Sequence, residues 1–333
     1  MECFDVAEAG GVDMWARPAA VLNAAVSSDS AEMARRVLSG GSGKLTKEHR
    51  AQAMESACVR ESCQSLDVLL SAGQDPCVPD ATYGRTPLMI AARYRKPAAV
   101  RLLLGRGAMP SIDAVDYKGR TAAMHACQGG CAESLVLLLD AGASAEPVAA
   151  GAGDFNGRTC LMRACRFGHM DVVRVLQERG VGGTVHDVDE GSRTALHLAA
   201  EEGREEAIGL LIAHGVPVDV RSETGQTALL EMLCFGIVNE LRITTVLLEA
   251  GASPEAKDNT GRTPLSYAAA NGKEDVVALL RWRPISSDGL HDASQLALKG
   301  GHDSLASRLA TAARWARRLR LLTWRRAAQA AME

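Results

Sequence analysis

Between residues 154 and 180, small and aliphatic side chains recur at helical spacing in two short segments, with polar residues between them. Each segment places three such residues on one face: Leu161, Ala164 and Cys165 in the first, then Val172, Val173 and Leu176 in the second. Gly157 marks a turn before the first segment, and Gly180 lies where the second would end. Neither face is wide enough to form a core alone. The pattern therefore predicts a helix-turn-helix unit that must stack on copies of itself.

The same unit recurs in register with six threonines, which are separated by 35, 38, 35, 33 and 36 residues: Thr86, Thr121, Thr159, Thr194, Thr227 and Thr263. The fifth and sixth residues after each threonine are a small pair in most copies, for example Ala91-Ala92. A glycine follows 21 residues after the first four threonines, at Gly107, Gly142, Gly180 and Gly215. We expect Gly180 and Gly215 to adopt positive φ at the ends of second helices.

This pattern resembles the ankyrin repeat, a unit of about 33 residues that reads G-x-T-P-L-H-x-A-A-x-x-G-H at these places. The clearest matches are residues 84–88, 193–200 and 261–265, which read G-R-T-P-L, R-T-A-L-H-L-A-A and G-R-T-P-L. The resemblance implies an all-α ankyrin-repeat solenoid of stacked helix-turn-helix units with hairpin loops, in about eight or nine copies.

Weaker copies extend the array in both directions. Clear repeats cover residues 81–285, and degenerate repeats cover 15–80 and 286–310, with Ala24-Ala25, Ala57-Cys58 and Ala297-Leu298 in place of the small pair. We therefore expect an N-terminal segment over residues 1–14, a repeat array over 15–310 and a basic helix over 311–333.

Composition narrows the functional classes. The net charge is −3, so no overall field favours nucleic acid. No signal peptide and no apolar run of about 18 residues is visible. The nine cysteines include no C-x-x-C pair. Because Cys58, Cys127 and Cys165 occupy the second small position of the repeat, we interpret them as buried thiols and place the chain in the cytoplasm or nucleus, a reducing compartment.

Catalytic motifs are not found, and we expect neither an enzyme nor a cofactor or metal site. His186, Asp187 and Asp189 are metal-ligand types, but they fall in an inter-repeat loop where polar residues are common. His197 stands at the histidine position of the repeat, and the resemblance implies local structural hydrogen bonds for it.

The aromatic residues occupy positions at which the repeat pattern prescribes no residue type. Tyr83, Tyr117 and Phe155 precede the threonine by three or four residues, whereas Tyr94, Phe167 and Phe235 follow it by eight. In ankyrin arrays the hairpin tips and first helices line one concave groove, so these residues are candidate anchors for a partner protein. The alternative is that the second set packs against the adjacent repeat.

Charge on the same helices is uneven. Arg93, Arg163 and Arg166 lie in the third and fifth repeats, whereas Glu201, Glu202 and Glu231 lie in the sixth and seventh. The groove is therefore predicted to be basic toward its N-terminal part and acidic toward its C-terminal part, which favours one register of a bound chain.

From Arg281 onward the chain carries ten basic and four acidic residues. Residues Arg308 to Arg326 form an amphipathic helical pattern with arginines on one side. A capping helix explains this pattern, and an anionic membrane patch, a calmodulin target or a nuclear import signal are alternatives.

These observations predict a monomeric, non-enzymatic scaffold or adaptor that binds a protein of unknown identity through the groove. The rival hypothesis is a targeting or regulatory subunit that brings a client to a larger enzyme complex, or to an anionic membrane, through the basic C-terminal helix.

Overall fold

A computed structural model describes residues 18–40, 45–145, 156–236, 239–282 and 286–330, with side chains as far as residue 319. Within these ranges all regular elements are helical and no strand is present, which confirms the predicted fold class. The chain divides into two compact units. The first contains the described residues up to Ala164 together with His169–Thr184, and the second contains Cys165–Gly168 and the residues from Val185 onward.

The helices of the first unit come in consecutive pairs. They are α1 (Pro18–Ser27) and α2 (Ala31–Gly40), α3 (Lys47–Arg60) and α4 (Cys63–Ser71), α5 (Pro87–Arg93) and α6 (Pro97–Gly105), α7 (Ala122–Gly129) and α8 (Ala132–Asp140), then α9 (Cys160–Phe167) and α10 (Met170–Arg179). The last residues of α9 fall in the second unit.

The second unit continues the same order. Its further helices are α11 (Ala195–Glu201) and α12 (Glu205–Ala213), α13 (Ala228–Phe235) and α14 (Glu240–Glu249), α15 (Pro264–Ala270) and α16 (Glu274–Arg281), then α17 (Ser287–Lys299) and α18 (Asp303–Ala330).

Small side chains allow the first helix of one pair to pack on the first helix of the next. Helix α5 packs on α3 and α7 in this way, and α13 packs on α11 and α15. The small pairs at these contacts, such as Ala91-Ala92 and Ala199-Ala200, are fully buried. The second helices contribute the larger core residues, including Leu103 and Leu211. Each pair therefore buries its apolar face mainly against its neighbours.

The threonines of the repeat cap the first helices. In five of the six, the side-chain oxygen accepts a hydrogen bond from the amide three residues later, at 3.3–3.4 Å: Thr86, Thr121, Thr159, Thr227 and Thr263. In the sixth, the amide of Thr194 donates to Nδ1 of His197 (3.2 Å), while Nε2 of the same ring lies 3.1 Å from the carbonyl of Gln226. The structural role that we predicted for His197 is confirmed.

Aspartates fix the hairpins that precede these caps. Oδ1 of Asp116 accepts from the amides of Lys118 and Arg120 (both 2.9 Å), and its Oδ2 accepts from Nε of Arg120 (2.8 Å). Asp189 holds Arg193 in the same manner. Because the aspartate closes the loop onto the arginine, it sets the positions of the hairpin-tip residue and of the guanidinium.

The terminal repeats depart from this plan. Position 52, where the second repeat should carry its threonine, is Gln52, and α3 instead begins five residues earlier with Thr46 as its cap. At the other end α18 is one helix from Asp303 to Ala330, so the boundary that we expected at residue 311 falls within it. Among the described helices, none combines the length and apolarity needed to cross a membrane.

Gly180 and Gly215 adopt φ values of +63° and +78° at the ends of α10 and α12, as we predicted. No atom lies within 4 Å of a Cβ added at Gly215, so the backbone conformation alone opposes a side chain there. Gly209, in the middle of α12, also has open space around its Cβ position but does not have a positive φ.

We expect Gly215→Ala to lower the free energy of unfolding by about 1–2 kcal/mol, because a left-handed conformation costs an L-residue that much. Gly209→Ala is the matched control, and we expect it to raise stability by about 0.5–1 kcal/mol through reduced chain entropy. Chemical denaturation followed by circular dichroism measures both. Equal effects of the two substitutions would contradict this account of the loop.

Candidate protein-interaction surface

Tyrosines at the hairpin tips of the first unit form part of an exposed row. Tyr83 and Tyr117 are 50% and 62% exposed. The amide of Tyr117 donates to the carbonyl of Tyr83 (2.9 Å), which places the two tips side by side. The Tyr117 ring lies over Gly84, where an added Cβ would come within 2.5 Å of it. The guanidinium of Arg85 lies 4.4 Å from the centre of the Tyr83 ring. Phe155, predicted to continue this row, lies outside the described residues.

The aromatic residues at the ends of first helices are divided between the two units. Tyr94, at the end of α5 in the first unit, is 45% exposed. Phe167 and Phe235 belong to the second unit, where Phe167 is half-buried and Phe235 is 58% exposed. Tyr83, Tyr94 and Tyr117 are therefore the predicted anchors that the first unit brings to its surface.

The predicted arginines differ in how far their charges are balanced. Nη2 of Arg166 lies 2.8 Å from Glu202 and 3.1 Å from Glu201, so its charge is compensated within the protein. Arg163 is only 5% exposed, and its Nη1 lies 3.5 Å from Oε1 of Gln128. Arg93 is half-buried, and its Nη1 is enclosed with no hydrogen-bond partner among the described residues.

Arg120, which we did not predict, joins these side chains. It stands directly before the capping Thr121, and its Nη1 donates to Oε1 of Gln128 (3.3 Å), the same oxygen that Arg163 approaches. We call Arg93, Arg120 and Arg163 the guanidinium cluster. Five of the six capping threonines follow an arginine, and this regularity was the signal in the sequence that could have revealed Arg120.

Burial and mutual repulsion both act on the guanidinium cluster. Burial lowers the pKa of Arg163 to about 10, and the positive charge of Arg120 contributes to that lowering. Burial and the charge of Arg120 likewise lower the pKa of Arg93. The cluster therefore brings guanidinium groups close together at a partly desolvated site.

Asp116 is a carboxylate that contacts Arg120, and it has a second partner as well. Besides Arg120, its Oδ2 lies 3.0 Å from Nε2 of the fully buried His125. Burial lowers the pKa of His125 to about 4, so the ring is neutral at pH 7 and its Nε2–H donates. Burial opposes ionisation of Asp116, but the hydrogen bonds from His125 and Arg120 hold its pKa well below the usual range.

At the equivalent positions of the second unit, acidic side chains surround the arginine. Nη1 of Arg193 lies 3.2 Å from Glu201 and 3.3 Å from Glu231, and its Nη2 lies 3.0 Å from Asp189. One guanidinium therefore faces three carboxylates. Glu231 is 4% exposed, and burial raises its pKa although Arg193 opposes the rise.

A cleft of about 840 Å³ opens beside Arg85 in the first unit. It lies between the first half of α3 and the hairpin that follows α4, and Met54, Val78 and Ile90 supply apolar wall. Its opening adds apolar area next to the tyrosine row.

Stacked helix pairs with capped first helices and a hairpin surface define a protein-interaction repeat module. Models of the family described as ankyrin repeats match residues 54–150 and 146–222, and the single-repeat model matches residues 260–284. The chain belongs to the ankyrin-repeat family. The scaffold of this family is generally non-catalytic and serves protein–protein interaction.

Relatives match through their repeats. Human SH3 and multiple ankyrin repeat domains protein 1 is 39% identical over 103 residues, 31% of this chain and 5% of that protein. The mouse B-cell lymphoma 3 protein homolog is 31% identical over 212 residues, 63% of this chain and 38% of the relative. The matched parts are thus well under two thirds of either relative. The human ASB11 ankyrin repeat domain superposes with a TM-score of 0.59 at 21% identity, over 70% of this chain and 99% of that domain.

The cysteines were also candidates for chemistry. Cys58, Cys127 and Cys165 are fully buried on first helices, and burial raises the pKa of Cys165 to about 12. Every cysteine within the described ranges is a free thiol, and Cys234 is exposed. Over the same ranges, no three His, Cys, Asp or Glu side chains come together as a metal site would require.

We expect Cys127→Ala and Cys165→Ala each to lower the free energy of unfolding by no more than about 1–2 kcal/mol, since each removes one buried sulfur from a slot that alanine fills elsewhere. Cys234→Ala, at an exposed site, is the control and should leave stability unchanged. Urea denaturation and metal analysis of the purified protein are the measurements. Stoichiometric zinc that disappears in either buried variant would overturn this assignment.

Proposed function

We propose that the protein is a non-enzymatic scaffold or adaptor that binds a partner protein through the groove of its ankyrin array. The observation that carries this proposal is the set of exposed tyrosines on the first unit, Tyr83, Tyr94 and Tyr117, of which Tyr83 and Tyr117 lie side by side. We further propose that it acts in a reducing compartment, the cytoplasm or nucleus, because the described cysteines are free thiols.

The backbone around these tyrosines supports a binding role. Tyr117 lies in a hairpin that is closed by two backbone amides donating to Asp116. Tyr94 follows the last residue of a helix that Thr86 caps. A rigid base lowers the entropy lost when a partner binds. Tyrosines supply large contact area with few rotatable bonds, which is why they are common at the centres of interfaces.

The tyrosine row is testable without knowing the partner. Peptides selected from a random display library on the immobilised full chain serve as probes, and fluorescence anisotropy gives their affinities. We expect Tyr117→Ala to weaken the binding of such peptides at least tenfold, which corresponds to about 1.4 kcal/mol of binding free energy. The same change should lower the free energy of unfolding by no more than about 1 kcal/mol, because the side chain is mostly exposed.

Trp282→Ala is the matched control, since it removes an aromatic ring that is 88% exposed directly after α16 of the second unit. The Trp282→Ala chain should bind the peptides with the same affinity as the unaltered chain. A Tyr117→Ala chain that melts clearly earlier but binds the peptides normally would identify the ring as a packing residue and reject the tyrosine row.

Helix α18 favours a second function, recruitment to an anionic membrane or to an acidic surface of a larger complex. Among the residues of α18 whose side chains are described, the last buried one is Ala313, yet the helix continues to Ala330. Trp315 and Leu319 beyond that point are 58% and 60% exposed, and they lie among arginines. Exposed aromatic and basic residues on one helix are typical of segments that lie on lipid headgroups.

Co-sedimentation with phosphatidylserine-containing vesicles tests this second function. Replacing Arg314, Arg317 and Arg318 by Gln removes three charges, each worth about 1 kcal/mol near an anionic surface, so binding should fall at least about 100-fold. Removing Arg101, Arg174 and Arg179 in the same way is the control for net charge. Equal losses in both triple variants, or equal binding to phosphatidylcholine vesicles, would reject the membrane role.

A further inference from the structure

We infer that the headgroups of an anionic bilayer contact two helices of the second unit, α18 and the C-terminal end of α16. This inference rests on the second proposed function, recruitment through α18, and adds Arg281 and Trp282 to its contact residues.

Helices α16 and α18 run side by side in the same direction. At one level, Nη1 of Arg308 on α18 lies 2.8 Å from Oε2 of Glu274 on α16. Seven residues later on each helix, Arg281 and Trp315 line one shallow hollow of about 430 Å³. Because seven residues make about two helical turns, both contacts lie on the same faces of the two helices. The end of α16 therefore lies beside Trp315.

Large apolar side chains are left exposed at this end of the two helices. Helix α16 ends at Arg281, and Trp282, which follows directly, is almost fully exposed. On α18, Trp315 and Leu319 are more than half exposed. Tryptophan concentrates where hydrocarbon meets the headgroups of a membrane, because its ring is apolar and its indole N–H is polar. These side chains are therefore suited to the headgroup layer of a bilayer.

The charge around these side chains is positive. Two of the nearby arginines, Arg308 and Arg317, pair with carboxylates at exposed sites, where ion pairs are weak. The guanidinium of Arg318 lies 5.7 Å from the centre of the Trp315 ring. Three exposed arginines have no carboxylate partner in the described part of the chain: Arg281, Arg314 and Arg318. Such a surface complements the negative charge of phosphatidylserine headgroups.

A bilayer fits this surface better than an acidic protein does. Helix α18 continues from residue 314 to Ala330, which is about 25 Å past the end of α16. Its last eleven residues, 320–330, read R-L-L-T-W-R-R-A-A-Q-A and contain no acidic residue. Helices that combine arginine with tryptophan and leucine lie in the plane of the headgroups. A flat membrane can contact this whole length and Trp282 together.

Co-sedimentation with vesicles of equimolar phosphatidylserine and phosphatidylcholine measures the affinity of the full chain. We expect Trp282→Ala and Arg281→Gln each to weaken binding by about fivefold or more, because each removes a side chain that contacts the headgroups. Leu241→Ala removes an exposed apolar side chain from α14, and Arg101→Gln removes an exposed charge from α6. Both controls should leave the affinity unchanged. Equal losses in test and control variants would overturn the inference.

A spectroscopic test reports on Trp282 alone. Replacing Trp15, Trp315 and Trp324 by Phe leaves Trp282 as the single tryptophan of the chain. At lipid concentrations at which this chain co-sediments with the vesicles, the emission of Trp282 should shift to shorter wavelength and be quenched by brominated lipid. An emission spectrum that the vesicles leave unchanged under these conditions would overturn the inference.

The outcomes also separate the inference from the function on which it rests. If replacing Arg314, Arg317 and Arg318 by Gln abolishes vesicle binding but Trp282→Ala and Arg281→Gln do not weaken it, α18 alone contacts the lipid. The inference is then rejected and the second function stands. If the unaltered chain does not bind the vesicles, the membrane role and the inference are both rejected. Binding to immobilised polyglutamate without binding to vesicles would assign an acidic protein as the partner and likewise reject the inference.

Discussion

The structure depends on one packing constraint: a helix pair in this protein buries its apolar face mainly against its neighbouring pairs. The small pairs Ala91-Ala92 and Ala199-Ala200 are fully buried because first helices of adjacent repeats approach closely there. That approach also brings polar side chains of successive first helices together. Gln128 and Arg163 are 35 residues apart in the chain, yet they come within hydrogen-bond distance of each other. Packing of the core thus determines which polar residues meet.

The hairpins add a second level of order. Asp116 and Asp189 each hold the arginine four residues later through the same set of hydrogen bonds. The hairpin frame is therefore the same in both repeats, whereas the fourth and seventh positions after the threonine carry different side chains. Gln128 and Arg163 in the first unit correspond in this way to Glu201 and Glu231 in the second. The charge at these positions differs although Arg163 and Glu231 are both buried.

The sequence predicted the helical repeat, the register of the threonines and the positive φ of Gly215, since each depends on local pattern. It predicted Arg166 as a binding residue, but it did not predict that Glu201 and Glu202 would neutralise that charge. Nor did it reveal Arg120 or the burial of Arg163. These properties depend on contacts between residues about 35 positions apart in the chain. An arginine at a given position of the repeat can meet a glutamate in one repeat and another arginine in a different repeat.

This difference separates two uses of the same slots. In the second unit, Glu201 and Glu231 both pair with Arg193. In the first unit, burial and the positive charge of Arg120 lower the pKa values of Arg93 and Arg163. The same backbone frame therefore places an arginine beside glutamates in one unit and beside other guanidinium groups in the other.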